Sequence, residues 1–144
     1  MGMKSPAVGV KDLLAAANVG VFAATSGWSL NVGRLPTTPA TAIACVDTGG
    51  ISPYPHIALN FPSVQVLIRG AAGDYVGAHD KGRAVIDAIL GMGYQVVNTD
   101  KWEGISQIGD LAFIGYDEKN YPMFSCNFSI NVEPASTGNR AAMS

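Results

Sequence analysis

An α+β fold with a mostly antiparallel sheet is the expectation for this sequence, and three patterns carry it. Strand-like segments come in two runs of three, each run preceded by a helix, instead of alternating with helices. From Met123 to Val132 apolar and polar residues alternate strictly, with Phe124, Cys126, Phe128, Ile130 and Val132 on one face. From Asp74 to Leu90 the apolar positions instead recur at steps of three and four, as on one side of a helix. A long helix should therefore cover one face of the sheet, flanked by a shorter N-terminal helix.

The elements follow in chain order. Val8 to Asn18 reads as the shorter helix, with Val10, Leu14 and Ala17 on one side and Gly20 placed to end it. Trp28 to Val32 alternates as a half-buried strand. Leu35 to Thr41 is loop, with Pro36 and Pro39, and Thr41 to Val46 is a short strand. Asp47-Thr48-Gly49-Gly50 closes that strand with turn chemistry. Ile51 to Pro62 holds Pro53, Pro55 and Pro62 and is expected to be an extended loop. Ser63 to Arg69 is a strand with Val64, Val66 and Ile68 on one face. In the main helix Asp74 is the N-cap and Tyr75, Ala78, Gly82, Val85, Ile86 and Ile89 form the apolar stripe. Gly91 is expected in the left-handed conformation past its end. Tyr94 to Asn98 is a strand. Ile105 to Ile114 is a weaker one, broken by Gly109-Asp110. Tyr116 to Asn120 is the connection into the last strand. Residues 1–134 form one domain and 135–144 a flexible tail, because composition changes to Ser, Thr, Gly, Asn and Ala after Pro134.

Composition narrows the function classes. The 144 residues are 48% apolar and 14% charged, where about 25% charged is usual. Such a shortage of charge suits a surface that other subunits cover. The net charge is −2 and no Lys/Arg block exists to track a phosphate backbone, so sequence-specific nucleic-acid binding is not expected. The start of the chain lacks an apolar run with a cleavage site, and no apolar stretch is long enough to span a membrane. Cys45 and Cys126 lie in apolar segments and read as reduced core thiols, a disulfide being the alternative.

No constellation calls for catalysis. His56 lies between prolines and His79 lies on the main helix beside Asp80. The His and Cys residues have no zinc-site spacing. Asp110, Asp117 and Glu118 sit among Gly and Asn, where Asp usually bonds its own backbone. Asp47-Thr48-Gly49-Gly50 lacks the phosphate-loop pattern. No catalytic, cofactor-binding or metal-binding residue is therefore assigned.

Several segments in order carry a family resemblance. They are Val46-Asp47-Thr48-Gly49-Gly50, the strand Phe61 to Gly70 followed by Tyr75, Ala78 and the main helix, Trp102-Glu103-Gly104-Ile105, Phe113 to Glu118, and Phe124 to Pro134. Over about positions 28 to 134 this order resembles the tail terminator, or minor capsid, proteins of long-tailed bacteriophages. Asn120-Tyr121-Pro122 departs from the pattern, which has a basic residue after the turn. The resemblance implies a structural virion protein, assembled in the host cytoplasm and placed at the head-proximal end of the tail. It implies a ring, a homo-hexamer, that caps the tail tube protein and meets a head-completion or connector protein, with DNA free to pass through its hole. The candidate interface residues are Arg69, Gly49, Gly50, Tyr54, His56, Asp117 and Glu118. The Ile51–Pro62 loop and the tail are candidates to order on contact. Two alternatives stand beside this reading: a head–tail connector or neck subunit, and a small cytosolic ligand-binding domain.

Overall fold

The computed structural model describes residues 5–50, 60–91, 95–97 and 100–133. The elements are α1 (Pro6–Ala16), β1 (Val21–Phe22), β2 (Ser29–Val32), β3 (Ala42–Asp47), β4 (Ser63–Arg69), α2 (Tyr75–Leu90), β5 (Gln95–Val97), β6 (Asp100–Tyr116) and β7 (Pro122–Glu133). The strands form one sheet in the order β1-β2-β3-β4-β7-β6-β5. Four pairings are antiparallel, whereas β1–β2 and β2–β3 are parallel. The expected α+β class and the mostly antiparallel sheet are thus observed. The parallel corner, and β1 itself, have no counterpart in the sequence reading.

The helices start and stop for local reasons. The Ser5 side chain accepts from the backbone of Val8 at the start of α1, where Pro6 needs no donor partner. The Asp47 carboxylate reinforces this start, accepting from Ala7 N at 2.9 Å and from the Ser5 hydroxyl at 2.6 Å. The helix ends earlier than Gly20. Asn18 takes φ 60°, its N–H reaches Ala15 O, and Val19 N–H reaches Leu14 O. This paired closure needs one left-handed residue, a role Asn tolerates. Ala17, assigned to the apolar side, is accordingly exposed past the helix end. Asp74 caps α2 as expected, accepting from Gly77 N at 3.0 Å. Gly91 does not take the left-handed form: its φ is −71°, and its N–H still bonds Asp87 O in a helical turn.

The core lies between the helices and one face of the sheet. One row of paired residues crosses six strands: Phe22, Leu30, Ile43, Ile68, Phe124 and Phe113. Its four inner members are at most 2% exposed. Ala78, Gly82, Val85, Ile86 and Ile89 are buried along α2, and all but Gly82 share one apolar cluster with Phe124, Phe128 and the α1 residues Val10 and Leu14. Tyr75, placed on the stripe, is 41% exposed. Two glycines allow close approach. A Cβ on Gly9 would stand 2.6 Å from the Trp102 ring, and one on Gly82 would stand 2.7 Å from a Leu111 methyl.

Candidate functional site

The residues proposed from sequence fall at two ends of the sheet. Ala42 pairs with Arg69 at one end of β3, and Asp47 pairs with Val64 at the other. Five residues at a strand rise of about 3.3 Å separate the ends by about 17 Å.

At the first end Arg69 is 7% exposed. Its Nε donates to Ala40 O at 2.8 Å, and its Nη2 donates to Pro36 O at 2.5 Å and Pro39 O at 2.9 Å. The Tyr121 ring lies 5.5 Å from the guanidinium carbon. The planar fork suits this task, because it reaches several carbonyls at once. Arg69 does not stand at a sheet edge. It closes β4, the middle strand of the seven, and clasps the 36–40 loop against the strand end. Asp117 and Glu118 lie nearby in the turn between β6 and β7. The Asp117 carboxylate accepts from Lys119 N at 2.9 Å and Tyr121 N at 3.0 Å, the expected turn chemistry. Glu118 is exposed. A shallow cleft of about 350 Å³ brings Arg69, Asp117 and Glu118 together with Thr37, Lys119 and Tyr121.

At the second end Gly49 and Gly50 follow β3 with φ of 91° and 81°. Gly49 is open to solvent, whereas a Cβ on Gly50 would strike the backbone at Phe61 and Pro62. Tyr54 and His56 lie outside the described residues, as does most of the Ile51–Pro62 loop and the whole of the 135–144 tail.

Little here is electrostatically poised for chemistry. Burial pushes the Cys45 thiol up from an ordinary 9.0 to about 12, and the neighbouring Cys126 adds to the shift. Burial likewise pushes Cys126 to about 12. Both are free, and both flank Val66 from adjacent strands. Two strand spacings place their Cα atoms about 9.6 Å apart, beyond disulfide reach. Arg83 pairs with Asp110 at 2.8 Å, and that hydrogen bond holds the Asp110 carboxyl below its usual range. Burial lowers Lys81, whose Nζ donates to Val19 O. Among the described residues no three His, Cys, Asp or Glu side chains gather as metal ligands. No helix there is long and apolar enough to cross a membrane.

The sequence reading missed a different kind of feature, at the sheet edges. β6 runs to 17 residues, but β5 pairs only with its first three. Beyond Trp102 no described strand covers its outer side. Ile108, Phe113, Ile114 and Tyr116 are 41–51% exposed there. Phe113 stands 5.0 Å from Tyr75 and 5.3 Å from both Tyr116 and the buried Phe124, centroid to centroid. The available signal was the uncharged run Leu111-Ala112-Phe113-Ile114-Gly115-Tyr116, which lacks the charge or proline that guards an edge strand.

Comparison with known proteins gives one family. A model of the family described as "Bacteriophage tail terminator protein" matches residues 13–134. A comparison with curated proteins finds no match. The matched span runs from the last four residues of α1 to just past the end of β7 and takes in all seven strands and α2. The chain belongs to the bacteriophage tail terminator family.

Proposed function

We propose that this protein forms a ring, six subunits by the resemblance, that caps the tail tube at its head-proximal end and offers the surface to which the head attaches. The observation that carries this reading is the family match across residues 13–134. Membership makes the chain a component of the virion tail that meets other virion proteins; the ring, the cap and the head contact are the finer step. The candidate residues support a two-sided subunit. Arg69, Asp117 and Glu118 stand at one end of the sheet, and Gly49 and Gly50 stand at the other. One end would meet the tube protein and the other the head-completion protein.

Capping of this kind is geometric and needs no catalysis. One ring face matches the tube, and the other offers no site for a further tube subunit. Subunits held in a ring bind together, so modest contacts add into a stable cap. The two thiols, neutral and buried, fit a structural role better than a nucleophilic one. Deleting the gene and imaging the lysate tests the proposal. Over-long tubes beside unjoined heads are the expected result. Normal-length tails joined to heads would overturn it. Normal-length tails lying free beside full heads would favour a neck subunit instead.

A further inference from the structure

The sheet has two unlike edges, and both are apolar. Among the described residues ten large apolar side chains are exposed. Val21, Phe22 and Val32 lie on β1 and β2, at one edge. Tyr75, Val76, Ile108, Phe113, Ile114 and Tyr116 lie on β6 and the start of α2, toward the other. Leu90 alone falls elsewhere. Natural sheets usually shield such edges with charge, proline or a covering element. The six residues Leu111 to Tyr116 carry no charge and no proline.

The two edges match in level and direction. At the β6 edge Tyr75, Phe113 and Tyr116 form an exposed aromatic chain in contact with buried Phe124. At the β1 edge a groove of about 570 Å³ is lined by Phe22, Val32, Leu35 and Pro36 together with the polar Asn31, Arg34 and Thr37. Phe22 and Phe113 end the same row of paired residues, so they stand at one level of the sheet. The pairings also fix direction: β1 runs with β3, and β6 runs against it. Copies related by rotation about an axis along the strands would therefore set β6 antiparallel to β1 of the next copy. Two different patches on one chain make a head-to-tail contact, the kind that closes rings, and not a two-fold one.

We propose that the aromatic β6 edge of one copy docks into the β1 groove of the next copy. This rests on the ring reading above and names the surfaces that build the ring. The contact is one of side chains. Register shifts at Trp102/Gly104, Ile108/Ala112 and Phe113/Gly115 interrupt β6, so a continuous added ladder is not required of it.

The test uses the full chain in sedimentation velocity, with circular dichroism to check folding. Phe22→Asp and Phe113→Asp are each expected to abolish rings. Because Phe113 touches Phe124, Ile114→Asp serves as a second variant of that edge, with a side chain 51% exposed. Each single variant keeps one intact edge, so mixing a folded Phe22 variant with a folded β6-edge variant should give a one-to-one dimer and nothing larger. Rings of wild-type size from Phe22→Asp and from Ile114→Asp would overturn the edge assignment and leave the ring reading standing. Variants that fail to assemble yet give no dimer on mixing would also overturn it. A wild-type chain that sediments only as a monomer would overturn the ring reading, and this inference with it.

Discussion

β6 and β7 are the two arms of one hairpin, and they have different fates. β7 lies between β4 and β6 and runs under α2. Its residues Phe124, Cys126, Phe128, Ile130 and Val132 are all at most 2% exposed. β6 is no less apolar from Leu111 to Tyr116, yet Phe113, Ile114 and Tyr116 are 41–51% exposed. The difference is position. β7 has a strand on each side and a helix over one face, whereas outer β6 has β7 on one side only. Apolar content says that a segment wants cover; the sheet order decides whether the same chain supplies it. What the chain leaves uncovered is a candidate for contact with another subunit.

The comparison is open to direct attack. The largest effect expected is for Phe128→Ala, which removes a fully buried ring from β7. Chemical denaturation should show a loss of about 3–5 kcal/mol, and Phe113→Ala should cost clearly less in the isolated subunit. Equal losses would erase the distinction between the arms. Next comes Arg69→Lys. An ammonium cannot hold three carbonyls in the guanidinium plane, so about 1.5–3 kcal/mol should be lost. The same unfolding curves measure it, and an unchanged midpoint would mean that the 36–40 loop is held by other contacts.

A packing test sharpens the inner side. Gly9→Val pushes a branched side chain into the Trp102 ring and Val97, and overpacking of this kind costs about 1–3 kcal/mol. A thermal melt at or above that of the wild type would show that α1 moves away freely. At neutral pH the smallest effect concerns the thiols. They stay neutral in the fold up to about 12 but ionise near 9.0 when the chain unfolds. The unfolded state then binds fewer protons between these values, so stability should fall as pH rises from about 9 to 12. Replacing both Cys45 and Cys126 by Ala should flatten that alkaline slope. At pH 8 a thiol reagent should label the native protein only as fast as it opens, and fast labelling would place a cysteine outside the core.

Much of the fold was legible because it rests on local periodicity. The bounds of β4 follow from the alternation of Val64, Val66 and Ile68, and those of α2 from its three-and-four spacing with Asp74 as cap. The length of β7 follows from its strict alternation. These patterns report which face of an element is buried, and each needs only its own residues. The candidate site was less legible. Arg69 closes a strand as its position indicated, but the carbonyls it holds lie about 30 residues earlier in the chain. The turn chemistry of Asp117 was readable, whereas the cleft that joins it to Arg69 was not.

By itself, then, the sequence determined the α+β class, the helix start at Asp74, the buried faces of β4 and β7 and the shortage of charge. Only the tertiary structure decided the strand order, the parallel corner at β1 to β3, the central place of β4 and the open edge of β6. Periodicity is a property of neighbouring residues. Which strands meet, and which edge is left over, depends on contacts between residues far apart in the chain, and no local pattern encodes those pairings.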